Sequence, residues 1–129
     1  MVSASLVCDD RSVRRTVLIV DDHAPFRESA AALLEAEGLT VIGEAADGAS
    51  ALAQVARLRP DVVVLDVQLP DLDGFEVAER LAASLHPPQV VLISSRELDA
   101  YGGRVAAARV RGFVSKDELS GMAVAMLLE

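Results

Sequence analysis

Cysteine is almost absent: Cys8 is the only one in 129 residues, so no internal disulfide can brace the fold, and a reducing compartment suits the chain. Lysine is equally scarce. Lys116 is the single one, and 12 Lys and Arg stand against 20 Asp and Glu, a formal net charge of −8. Nucleic acid and anionic membranes are held through clustered basic residues, so this balance argues against either as a direct partner of the chain. No uninterrupted apolar run approaches the roughly 20 residues needed to cross a bilayer. The segment from Met1 to Cys8 lacks the positive region and the apolar length of an export signal, and Asp9 and Asp10 follow it. A soluble, cytoplasmic protein is expected. Neither an internal repeat nor a linker divides the chain.

What is present suffices for a core. Apolar residues make up 52% and charged ones 25%, far from a disordered composition, and the length suits one compact domain. Residues 1–15 mix Ser, Asp and Arg without apolar period and are expected to be a flexible leader, with the folded domain over 16–129. From Thr16 onward short β-branched runs alternate with stretches of helical apolar spacing. Val17–Val20, Val62–Leu65 and Val90–Ile93 are continuously apolar, the mark of parallel strands covered on both faces; Thr40–Gly43 and Gly112–Ser115 are weaker strands.

Five helices are expected between and after them. The first has Pro25 at its start, Phe26, Ala30, Leu33 and Leu34 facing inward, and Gly38 past its end. Asp47 and Asp73 are read as caps of the second and third, which bury Leu52, Val55 and Ala56, and Val77, Ala78 and Leu81. A fourth, near residues 98–108, carries Gly102 and Gly103, which together cost about 2 kcal/mol of helix propensity relative to Ala. The fifth, after Asp117, sets Leu119, Met122, Ala123, Met126 and Leu127 on one core-facing stripe. The fold class is α/β, a doubly wound five-stranded parallel sheet with five helices, and right-handed crossovers leave few strand orders.

In such a sheet, ligands sit beyond the carboxyl ends of the strands, so the residues that follow each apolar run matter most. Asp21 and Asp22 follow the first strand, Asp66 the third, Ser94 and Ser95 the fourth, and Lys116 the fifth. Carboxylates a few Å apart repel by a few kcal/mol at effective dielectrics near 20, which calls for something positive among them. A hard divalent cation on oxygen ligands fits, Mg²⁺ rather than Zn²⁺. His23 is read as a turn residue and His86 as a loop residue before Pro87 and Pro88. A carboxylate beside Mg²⁺, with a lysine and a hydroxyl nearby, has the parts for phosphoryl transfer onto the carboxylate, and Asp66 is the best-placed nucleophile.

Val17-Leu-Ile-Val-Asp-Asp-His23, Val62-Val-Val-Leu-Asp-Val-Gln-Leu-Pro-Asp-Leu-Asp-Gly74, Val91-Leu-Ile-Ser-Ser95 and Gly112-Phe-Val-Ser-Lys116 resemble, in order, the motifs of the receiver domains of two-component response regulators. The resemblance covers about residues 16–129 and is closest in style to receivers that precede helix-turn-helix DNA-binding domains. It implies a flavodoxin-like strand order 2-1-3-4-5. It implies Asp66 as phosphoacceptor, Asp22 as a direct Mg²⁺ ligand, Asp21 as its partner acting largely through water, and the backbone carbonyl of Gln68 as a further ligand, with Asp66 itself at the metal. Ser94 resembles the hydroxyl that bonds the phosphoryl group and Lys116 the cation that pairs with it. Phe113 falls where the family has an aromatic that swings inward on activation, a buried strand aromatic being the plainer alternative. The implied donor is a histidine kinase or histidine phosphotransfer protein.

The face formed by the fourth helix, fifth strand and fifth helix is then expected to switch and to support a possible homodimer. The resemblance implies a phosphoacceptor rather than an enzyme.

Three departures stand out. Asp117 replaces the usual proline after the lysine, where a cis bond would cost about 2.5 to 4 kcal/mol, leaving the loop geometry open. Arg109 stands where relatives often carry glycine, and Ser94 replaces a frequent threonine while keeping the hydroxyl. The alternative reading is a pseudo-receiver that is never phosphorylated and serves as a dimerisation or docking module. A haloacid-dehalogenase-type phosphohydrolase would want a second Asp where Gln68 stands, and a flavodoxin would want a Ser/Thr-rich phosphate loop in place of Asp21 and Asp22.

Overall fold

A computed structural model describes residues 15–95, 101, 103, 104 and 108–128. In chain order the elements are β1 (Thr16–Val20), α1 (Ala24–Ala36), β2 (Thr40–Ala45), α2 (Gly48–Leu58), β3 (Val62–Asp66), α3 (Gly74–Ala82), β4 (Gln89–Ser94), β5 (Gly112–Ser115), a single 3₁₀ turn (Lys116–Glu118) and α4 (Gly121–Leu128). The strands form one parallel sheet in the order β2-β1-β3-β4-β5. The expected leader, apart from Arg15, and most of the helix expected at 98–108 lie outside the described residues.

Side chains alternate along the strands and divide the core into two layers. Leu18, Val20, Val63, Leu65, Val90 and Leu92 face α2 and α3, where they meet Ala51, Val55, Val77, Ala78 and Leu81. Val17, Ile19, Val62, Val64, Val91 and Ile93 face α1 and α4, meeting Ala30, Leu34, Val124 and Leu128. Each such fully buried aliphatic contributes about 1.5 to 3 kcal/mol from removal of apolar surface from water. That two-sided burial is why β1, β3 and β4 read as unbroken apolar runs.

The helix ends follow their capping chemistry. Asp47 Oδ1 accepts the Ser50 N–H at 2.7 Å and Asp73 Oδ1 the Phe75 N–H at 2.7 Å, each satisfying a first-turn donor that the helix itself leaves over. Gly38, with φ of 93°, lets the chain leave α1. Gly74 is required by contact: a Cβ there would stand 2.4 Å from the Asp66 carbonyl oxygen.

Three sequence expectations are corrected. Leu33 of α1 is nearly half exposed, and on α2 Ala51 rather than Ala56 faces the core. On the last helix, Met122 and Met126 are 61% and 67% exposed, while Val124 and Leu128 are buried. The 3₁₀ turn delays the start of α4 to Gly121, and in a helix that is apolar all round, periodicity selects no inward face. No described helix is long and apolar enough to cross a membrane.

Candidate functional site

Parallel pairing brings the carboxyl ends of the strands together. Asp66 ends β3 and pairs in register with Ile93; Ser94 ends β4 and pairs with Ser115, so Lys116 emerges beside both. Asp21 follows β1, whose Val20 pairs with Leu65. Among the described residues, the buried polar or charged ones are Asp21, Asp66 and Ser94.

Lys116 joins the two buried carboxylates, its Nζ lying 2.5 Å from Asp21 Oδ2 and 3.3 Å from Asp66 Oδ2. The same ammonium lies 4.8 Å from the centre of the Phe26 ring, within cation–π range. Burial alone would pull the Lys116 amine down, but the hydrogen bonds and charges of Asp21 and Asp66 outweigh it and hold the amine above its ordinary value. Asp66 is 3% exposed. Burial raises its carboxyl from 3.8 to about 6, against the pull of the Gln68 N–H and the Lys116 charge, while Asp21 pushes it further up. The Gln68 N–H reaches Asp66 Oδ1 at 3.1 Å.

Asp21 is held from several sides. Its Oδ1 accepts the His23 N–H at 2.8 Å, and its carbonyl accepts Arg27 Nη1 at 2.6 Å, Arg27 being fixed in turn by Glu44 at 2.9 Å. Its Oδ2 is buried and faces the Lys116 ammonium. Asp22 is exposed and lies 3.0 Å from His23 Nδ1. Asp21, Asp22 and His23 present ligand atoms within 4.8 Å of one another. Of the expected metal ligands, the structure therefore groups Asp21 and Asp22 with His23. Asp66 shares the Lys116 ammonium with Asp21, and Gln68, which donates its N–H to Asp66, also forms an isolated bridge with Asp73. A buried carboxylate beside a second, exposed carboxylate is a donor set that suits a hard cation.

Ser94 sits where expected, with its Oγ hydrogen-bonded to the Tyr101 hydroxyl. Phe113 is partly buried on β5, 6.0 Å from the Tyr101 ring. The bond between Lys116 and Asp117 is trans, as are all described peptide bonds, and Arg109 is exposed, 3.6 Å from Glu79. Asp71 accepts the Gly48 and Ala49 N–H groups, tying the turn after Asp66 to the start of α2; those backbone bonds hold its carboxyl below the usual range. Sequence reasoning missed Phe26, Arg27 and Tyr101. Tyr101 had a signal, as the only tyrosine of the chain; Phe26 and Arg27 looked like an ordinary helix start.

Residues 17–126 match the family described as the response regulator receiver domain. A protein-glutamate methylesterase/protein-glutamine glutaminase of Anaeromyxobacter dehalogenans is 44% identical over 113 residues, 85% of this chain and 32% of that protein. The DNA-binding transcriptional activator EvgA of Escherichia coli is 33% identical over 101 residues, 78% of this chain and 50% of that one. The chain thus spans about a third to a half of these curated relatives. Among solved structures, a signal receiver domain assigned to the response regulator NarL of Mycobacterium tuberculosis superposes with a TM-score of 0.80 at 34% identity, covering 89% of this chain and 94% of that one.

Proposed function

Since the chain belongs to the family of response regulator receiver domains, we propose that it accepts a phosphoryl group on Asp66 from a phosphohistidine of a kinase or phosphotransfer protein. The observation that carries this is the Asp66 carboxylate, buried at the end of β3 and paired with the sole lysine at 3.3 Å. A carboxyl at about 6 is ionised at neutral pH, so an Asp66 oxygen can attack phosphorus. An O–P bond forms as the N–P bond of the donor breaks, and the electron pair leaves on the imidazole nitrogen. Lys116 offsets charge on the phosphoryl oxygens and Ser94 donates a hydrogen bond to one of them. Asp21, Asp22, Asp66 and the Gln68 carbonyl would hold Mg²⁺, which supplies charge neutralisation at the phosphoryl oxygens. Phosphorylation then biases the face comprising residues 98–108, β5 and α4, with Phe113 as the aromatic that follows, and that face docks a second copy or an output partner.

The test is intact mass after incubation with acetyl phosphate, with and without Mg²⁺, for the wild type and Asp66→Asn. One added phosphoryl group that needs Mg²⁺ and is absent from the variant is expected. No addition under any condition would leave a docking module that is never phosphorylated.

A further inference from the structure

Ser94 does not act by itself at the end of β4. Its buried hydroxyl is hydrogen-bonded to that of Tyr101, and the Tyr101 ring is wedged between two others: Phe75, edge-on at 5.6 Å, and Phe113 at 6.0 Å. Phe75 belongs to the first turn of α3, directly after the turn that carries Asp71 and Asp73. The guanidinium of Arg104 covers the Phe75 ring at 4.3 Å, and its Nη2 is 2.7 Å from Asp73 Oδ2. Tyr101 and Arg104, with Val67, Gln68 and Asp73, also line an open cleft against the segment that follows Asp66. One side chain therefore touches the phosphoryl-binding hydroxyl, the element that follows the acceptor and the strand that leads to Lys116.

A phenol, with an ordinary pKa near 10, is a far stronger acid than an aliphatic alcohol. When the two hydroxyls share a hydrogen bond, the favoured arrangement has Tyr101 donating and Ser94 accepting, which orients the Ser94 side chain. Donor chains of this kind polarise and strengthen one another.

We propose that Tyr101 is a positioning residue for phosphoryl transfer. Its hydroxyl fixes the Ser94 side chain so that Ser94 donates to a phosphoryl oxygen on Asp66, and its ring couples occupancy of that site to Phe75 and Phe113. The inference rests on the role of Ser94 in the proposed function.

Beryllofluoride, titrated with Mg²⁺ into the whole chain and followed by fluorine NMR, tests it as a mimic of the phosphoryl group. Tyr101→Phe keeps the ring and removes the hydroxyl; it is expected to weaken binding about 5- to 10-fold, the scale of one hydrogen bond. Ser94→Ala is expected to lose at least as much, and the double variant no more than Ser94→Ala alone. Ser94→Thr, which keeps a hydroxyl, should preserve the effect of Tyr101→Phe. Since the chain has one tyrosine and no tryptophan, its tyrosine emission reports on Tyr101 alone and is expected to shift on saturation in the wild type but not in Ser94→Ala. Equal affinity of Tyr101→Phe and wild type, additive losses in the double variant, or an emission shift that survives Ser94→Ala would overturn the proposal while leaving phosphorylation of Asp66 intact. A wild type that binds no beryllofluoride would overturn the phosphoacceptor reading, and this inference with it.

Discussion

Two aspartates bound the central strand, and their surroundings are opposite. Asp61, just before β3, is exposed, and each of its polar groups is engaged: the carboxylate takes the Thr16 N–H at 2.9 Å and the Thr16 hydroxyl at 3.1 Å, its N–H goes to the Thr16 carbonyl at 3.0 Å, and its own carbonyl takes the Gln89 N–H at 2.9 Å. It laces the amino ends of β1, β3 and β4 together. Asp66, at the other end, is buried, receives one backbone N–H and shares a single ammonium with Asp21. An aspartate surrounded by donors is finished, whereas a buried pair of carboxylates on one cation retains unused accepting capacity. The end of the sheet that is least satisfied in itself is the end equipped to act on something else.

The sharpest way to break this contrast is to remove the cation. Lys116→Met is expected to lower stability by about 3 kcal/mol at pH 7.5, the scale of a broken buried ion pair. The loss should shrink toward pH 5 as protonation neutralises Asp66, whose carboxyl lies at about 6, and urea unfolding at the two pH values checks it. Removing the carboxylate should do the reverse. With a folded value of about 6 against 3.8, Asp66 favours the folded state most when protonated, and that contribution is lost as pH rises from about 4 through 6. Asp66→Asn is therefore expected to stabilise the chain by up to about 3 kcal/mol at pH 7.5 and not at all near pH 4. A gain that is flat across that range would mean that burial is not what strains Asp66. Smallest is the change at the laced end: Asp61→Ala should cost about 1 kcal/mol, read as a lower melting temperature, and leave acetyl phosphate labelling of Asp66 unaltered.

Most of the sheet was legible because strands buried on both faces must be continuously apolar, and the expected runs lie within β1, β3 and β4 to within a residue or so at each end. Strand order was narrowed only by the handedness of crossovers and by resemblance, since spacing says nothing about which strand lies beside which. The last helix was misread for a definite reason. Its residues are apolar on every side, so the choice of Val124 and Leu128 over Met122 and Met126 falls to the neighbouring α1. At the site, Asp21, Asp22, Asp66, Ser94 and Lys116 could be found because each follows a strand-like run. Arg27 and Phe26 could not be, because their importance lies in what they touch, and Tyr101 offered only its being the single tyrosine.

The sequence by itself therefore determined the alternation of strands and helices, the caps at Asp47 and Asp73, and the set of acidic, hydroxyl and basic residues that leave the strand ends. Those follow from local periodicity and from the one or two residues beyond each run. Only the tertiary structure decided that Lys116, after β5, bridges Asp21, after β1, and Asp66, at the end of β3, and that Tyr101 reaches Ser94. The reason is that a distance between side chains on different elements is set by sheet order, register and packing together, and no single segment encodes any of them.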